Sequence, residues 1–273
     1  MAILHIFGDE SGTMPLNDTD GPFVAATVSF LGEPPNVMRD SNKDETLVSI
    51  FKNLNAVPFA AIVKPFLGYK KALKNKYDKM QVMARATALV MGSSSQSLDQ
   101  AGLTPRNIVW THAMTQAIVN AVGSIMFDSD INSVRILLDE KTLSHSMRLL
   151  FSQTLLQMGT NFREFLTYYR QLNPAKMFQY KNNIQFSAAN TSINWSDDSG
   201  QFRSEFGLKL AHRLASKTYH QLKDSGKKGI ETKLRDAGFE DFIKDITDIV
   251  TNLDQRLIDN FRQNTGLPEP REL

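Results

Sequence analysis

Two aspartates, Asp9 and Asp139, each close an apolar run, in ILHIFGDESG over 3–12 and VRILLDE over 134–140. Their carboxylates are hard oxygen donors suited to Mg²⁺ or Mn²⁺, ions held by few protein ligands, several waters and a substrate phosphate. Two such ions astride a phosphodiester activate water and stabilise the leaving oxygen, so the chemistry in view is hydrolysis of nucleic acid. Glu10 and Glu140, one residue further in each run, are secondary candidates. The competing reading makes each Asp-Glu pair a solvated strand end, because paired ligands need a proximity that chain spacing alone does not supply.

To bring the aspartates together, the runs that carry them must be neighbouring strands. Ile3, Leu4, Ile6 and Phe7 have the β-branched and aromatic content of an interior strand, which would hold Asp9 on rigid backbone. MPLNDTDG reads as a turn into a second strand at 22–30, a short helix fits near 44–54, and VPFAAIVKPF at 57–66 reads as a third strand closed by Pro65. The recurrence of Leu73, Tyr77, Met80, Ala84 and Ala88 predicts a helix from residue 70, ended by GSSSQS at 92–97. A second helix is expected at 104–127, with Pro105 in its first turn. After the VRILLDE strand, helical spacing resumes at 143–158, and 165–169 reads as a fifth strand.

Residues 170–200 read mostly as loop, with a short strand possible at 184–186. A helix at 205–222 sets Leu208, Ala211, His212, Ala215 and Tyr219 on one stripe, and KDSGKKG is its exposed exit. The spacing from Phe239 to Phe261 predicts one long closing helix that caps the domain or pairs with a second copy. The expected organisation is an α/β domain over 1–222, a mixed sheet with flanking helices, followed by a C-terminal linker and helical extension over 223–273.

Bulk properties narrow the class. A chain of 273 residues with 41% hydrophobic content can bury a large core. A net charge of +2, from 31 basic and 29 acidic residues, does not announce a nucleic-acid binder, and zero cysteines exclude disulfides, thiolate metal sites and cysteine nucleophiles. MAILHIFGDE has no basic start, and no apolar segment approaches the roughly 20 residues of a membrane span, so a cytoplasmic protein without a membrane partner is expected. Phosphate-loop, dinucleotide-binding, nucleophile-elbow and H-E-x-x-H motifs are absent from the sequence.

The strand ending in Asp9-Glu10-Ser11-Gly12, the hairpin after it and the later strand ending in Asp139 resemble the domain-of-unknown-function 3800 family. The resemblance spans most of the chain up to about residue 222 in order of elements; its specific part is DESG plus the Asp139 strand. It implies a ribonuclease H-like fold and an acidic, metal-dependent site. Such proteins bring a further acid on a late helix, in a segment of the type Leu-Gln-Leu-Ala-Asp; here the segment reads Leu208-Lys209-Leu210-Ala211-His212.

Imidazole is a poor Mg²⁺ ligand but suits Mn²⁺ and softer ions, and it is a natural general base near neutral pH. His212 therefore ligates a softer ion, deprotonates the attacking water, marks a site that has lost catalysis, or is a core histidine. Asp197 and Asp198 could replace the missing carboxylate or form a solvated turn. Lys64 and Lys141, each near a strand end, are the candidates to meet a substrate phosphate, with Ser11 beside them or bracing the turn. Two functions follow: a nuclease acting on RNA or DNA with Mg²⁺ or Mn²⁺, and a non-catalytic nucleic-acid-binding or regulatory protein that self-associates through its C-terminal helix.

Overall fold

The computed structural model describes residues 2–34, 44–90, 104–126, 131–139, 143–160, 162–174, 190–196, 206–223, 229–239 and 242–268. β1 (Ala2–Ser11) and β2 (Phe23–Leu31) form the antiparallel hairpin expected from the sequence, and β3 (Val57–Val63) extends it antiparallel to β2. β4 (Ile131–Asp139) lies parallel to β1 on its other side, and β5 (Thr191–Ser196) lies parallel to β4. With β6 (Ile243–Asp245) parallel to β3, the six described strands run in the order β5-β4-β1-β2-β3-β6. An interior strand covered on both faces must be apolar on both, which is why β1 and β2 read as nearly unbroken hydrophobic runs.

Each face has its own helical cover. On one, α3 (Pro105–Met126) packs its Met114, Ala117, Ile118 and Ala121 against a core that includes Leu4, Ile6, Ala25 and Ile136. On the other, α6 (Phe206–Lys223) lays Leu210, Ala211 and Leu214 over a core with Phe7, Ala26, Val28 and Leu137. Each large apolar side chain so buried contributes about 1.5–3 kcal/mol of transfer free energy. α7 (Ile230–Asp236) packs between α6 and α1 (Asp44–Asn53) on the α6 side, while α2 (Tyr69–Val90) and α4 (His145–Thr160) lie on the α3 side. The turn after β1 is clamped to α2: the Asp18 carboxylate accepts the N–H groups of Gly68 and Lys70, bonds that hold its pKa below the ordinary value.

Three expectations are corrected. The segment 165–169 is not a strand but part of α5 (Phe162–Leu172), whose Phe165, Leu166, Tyr169 and Leu172 share a helical face and are buried. Within 170–200, read as loop, lies the edge strand β5; the possible strand at 184–186 and the GSSSQS exit fall outside the described residues. The single closing helix is instead β6, α8 (Thr247–Thr251) and α9 (Gln255–Thr265). Its apolar residues are spent inside the chain: Ile246 and Val250 join the α3-side core, and Ile258 and Phe261 are buried where α9 meets α2. The described residues after 222 thus pack on the domain and also supply a strand to its sheet. Among the described residues no helix is long and apolar enough to cross a membrane.

Candidate functional site

The β1–β4 register sets Phe7 beside Leu137 and Gly8 beside Leu138. One residue further it brings Asp9 beside Asp139, on strands about 4.8 Å apart. Side chains alternate along a strand, so Asp9 leaves the same face as Phe7, and Asp139 the same face as Leu137. Both faces are the one under α6. Asp139 pairs in turn with Ser196 of β5, whose hydroxyl donates to Asp139 Oδ1 at 2.7 Å. The neighbouring Trp195 points the other way, where it packs against Trp110 and Phe151 and pins β5 to the sheet.

α6 can approach β1 closely because its first turn carries Gly207, where a Cβ would overlap the Phe7 ring. Further along the same helix His212 reaches Asp9, with Nδ1 2.8 Å from Oδ2. Asp9 is only 2% exposed, and a buried carboxylate persists only when its oxygens are satisfied. Its Oδ1 accepts the N–H of Glu10 at 2.7 Å, and Oδ2 faces the imidazole. An ionised carboxylate only accepts, so opposite an ionised Asp9 the hydrogen of this bond sits on Nδ1. The imidazole itself is 57% exposed, standing at the wall of a cleft of about 400 Å³ lined by Asp9, Asp139, Ser196, Leu208, Lys209, His212 and Arg213.

The DESG turn also has a physical reason. Gly12 has φ of +93°, and a Cβ there would lie 2.5 Å from the Pro22 carbonyl oxygen and 2.7 Å from the Tyr219 ring. Glycine lets the chain leave β1 directly beneath α6.

Of the residues expected from sequence, Asp9, Asp139 and His212 meet in this cleft. Glu10 does not: it pairs with Ala25 and leaves β1 on the α3 face, opposite Asp9. Ser11, at the last position of β1, is half-buried and does not line the cleft. Lys64 is drawn to the far edge of the sheet, its Nζ 3.7 Å from Asp245 Oδ2 and its N–H donating to Thr247 Oγ1 at 2.8 Å. Glu140, Lys141, Asp197 and Asp198 lie outside the described residues. Ser196, Lys209 and Arg213 were missed by sequence reasoning. Lys209 stands three residues before His212 and four before Arg213 on α6, and those two helical spacings were the available signal.

The donor set facing the cleft is two carboxylates on adjacent strands and one imidazole. Among the described residues no group of three His, Cys, Asp or Glu side chains is placed to hold an ion by itself. Mg²⁺ and Mn²⁺ ordinarily take one or two carboxylates and fill the remaining positions with water and phosphate oxygens, which Asp9 and Asp139 fit. No protein-family model, no curated protein and no solved structure matches this chain.

Proposed function

We propose that the protein is a metal-dependent phosphodiesterase that hydrolyses nucleic acid at the Asp9–Asp139 cleft, on a sheet of ribonuclease H-like arrangement. The strand plan supports this reading: a three-stranded antiparallel unit whose first strand is joined on its open side by two parallel strands, with the acids on the adjacent strands β1 and β4. The observation that carries it is the register that sets Asp9 beside Asp139 on the α6 face, with His212 bonded to the first of them.

Each side chain has a task in this scheme. Lys209 and Arg213 attract the phosphate backbone into the cleft. Ser196 fixes the rotamer of Asp139 through its 2.7 Å bond. Asp9 holds His212 in the Nδ1–H tautomer, which directs the basic Nε2 to take a proton from the attacking water. A divalent ion held by Asp9 and Asp139 would neutralise charge on the phosphoryl oxygens and lower the pKa of a bound water. The histidine that replaces the acid expected from the resemblance thus serves as an oriented base instead of a third carboxylate.

Incubation of the pure protein with labelled RNA and DNA strands in Mg²⁺ or Mn²⁺ tests the proposal. Cleavage is expected, and it should be lost in Asp9→Asn and Asp139→Asn; cleavage persisting in both variants would assign it to another site or a contaminant. The bond between His212 and Asp9 also favours a second reading, a binding protein without turnover, because it engages an oxygen of the leading ligand. Saturable nucleic-acid binding with no product in either ion would select that reading.

A further inference from the structure

A second cleft, of about 300 Å³, opens on the opposite side of the sheet, between α2, α3, α5 and the α8–α9 turn. Lys76 of α2 enters it with only 2% of its surface exposed, and its Nζ donates to the carbonyl oxygen of Ile249 at 2.7 Å. Every element packed around that amine contributes a titratable group to the same wall: His112 from α3, Tyr168 from α5, Asp248 from α8 and Asp254 at the cap of α9. The carboxylate whose charge acts on it, Asp254, is already engaged. Asp254 accepts Gln171 Nε2 on Oδ2 at 3.0 Å and caps α9 through Oδ1 to Arg256 N, also at 3.0 Å.

A buried amine given one carbonyl and, among the described residues, no carboxylate of its own is poorly suited to be an ammonium and well suited to be a nucleophile. We propose that this cleft is a carbonyl-binding site in which Lys76 Nζ condenses with a small aldehyde or ketone. The Nζ lone pair forms the new bond to the carbonyl carbon. The two amine hydrogens and the carbonyl oxygen leave together as water, giving an imine with no oxidant or reductant. Once protonated, the imine nitrogen keeps one N–H for Ile249.

The electrostatics agree with the geometry. Burial pushes the Lys76 ammonium down to about 7, against a weaker upward pull from Asp254. Burial first, and Lys76 second, hold His112 well below its usual value, so it is neutral at pH 7. At neutral pH such a lysine carries on the order of a thousandfold more free amine than an ordinary one of pKa about 10.4.

Reductive trapping tests the proposal on the unaltered protein. The folded chain is incubated with propanal and sodium cyanoborohydride, and propylated lysines are mapped by peptide mass spectrometry, with the exposed Lys70 and Lys71 of the same helix as internal references. Lys76 should be labelled at least tenfold faster than either at pH 7. Its rate should saturate with propanal concentration, and its ratio to theirs should fall as pH rises from 7 to 9. Labelling of Lys76 no faster than Lys70 and Lys71, or appearing only in denaturant, would overturn the proposal. Because the probe needs neither nucleic acid nor metal, the result stands apart from the fate of the Asp9–Asp139 site.

Discussion

His212 Nδ1 lies 2.8 Å from Asp9 Oδ2, which ties an imidazole on the wall of an open cleft to a carboxylate almost wholly withdrawn from water. The bond fixes both partners: it gives the acid a polar partner where solvent cannot, and it sets the orientation of the ring. In the proposed reaction His212 is therefore a base placed by a metal ligand, and removing it should have a signature unlike that of removing a ligand.

The first expectation concerns pH. His212→Ala should lower kcat by about 10²–10⁴, the usual worth of a positioned base, and should abolish the acid limb of the pH profile that an imidazole base imposes. His212→Asp, which restores the acid expected from the resemblance, should bind Mg²⁺ more tightly while also lacking that limb. Steady-state rates across pH 5 to 9 check both, and an unchanged acid limb in His212→Ala would locate the base elsewhere.

In the proposed reaction Ser196 acts through Asp139. Ser196→Ala removes the donor to Oδ1 and should weaken metal affinity about 10–100-fold, as loss of a hydrogen bond to a ligating carboxylate commonly does. Much of the lost rate should return at saturating Mn²⁺. A Ser196→Ala enzyme with wild-type metal dependence would remove the serine from the site.

The placement of α6 can be tested without touching a polar residue. Gly207→Ala forces a methyl group into the Phe7 ring and should destabilise the fold by about 1–3 kcal/mol, with activity falling as His212 is carried away from Asp9. Gly21→Ala is the matched control, because its nearest heavy atom, Lys223 Cε, would be 3.8 Å from the new Cβ. Urea unfolding of the two variants should separate them clearly; equal midpoints would mean that α6 does not depend on that close approach.

Lys76 makes stability depend on pH. Its folded-state pKa of about 7 lies below its unfolded value, so between these two the unfolded chain binds the extra proton. The stability cost is complete below about pH 7 and is relieved as pH rises toward the unfolded value, at up to roughly 1.4 kcal/mol per pH unit from this one group. Urea unfolding should show a rising slope between pH 7.5 and 9 that Lys76→Met flattens. A slope unchanged in the variant would assign it to other groups.

The sequence made some of this legible and hid the rest for physical reasons. β1 could be read because a strand buried on both faces is apolar along most of its length, and β4 because Ile136, Leu137 and Leu138 run buried up to its end, so the aspartate that follows each apolar run stands out. β5 could not: TSINWS is a short edge strand with a mixed surface, recognisable only by its pairing with β4. α5 was mistaken for a strand because FLTYY is rich in residues that favour strands, and only tertiary burial of Phe165, Leu166 and Tyr169 shows the helical face. β6 has three residues and exists through its bonds to β3. At the site, the three leading residues converge, but the sequence points to strand ends for the cations that line the cleft. Lys209 and Arg213 lie instead on the polar edge of α6, whose rotation about its axis is set by Gly207 against Phe7.

The most direct measurement is single-turnover cleavage of labelled RNA and DNA strands in Mn²⁺ by the wild type, Asp9→Asn, Asp139→Asn and the double variant, each verified as folded. Two ligands of one site act as a unit, so each single variant should lose at least about 10² in rate and the double variant little more. Wild-type rates in both single variants, or the absence of any cleavage by a wild-type protein with Mn²⁺ bound, would contradict a hydrolytic site at Asp9 and Asp139.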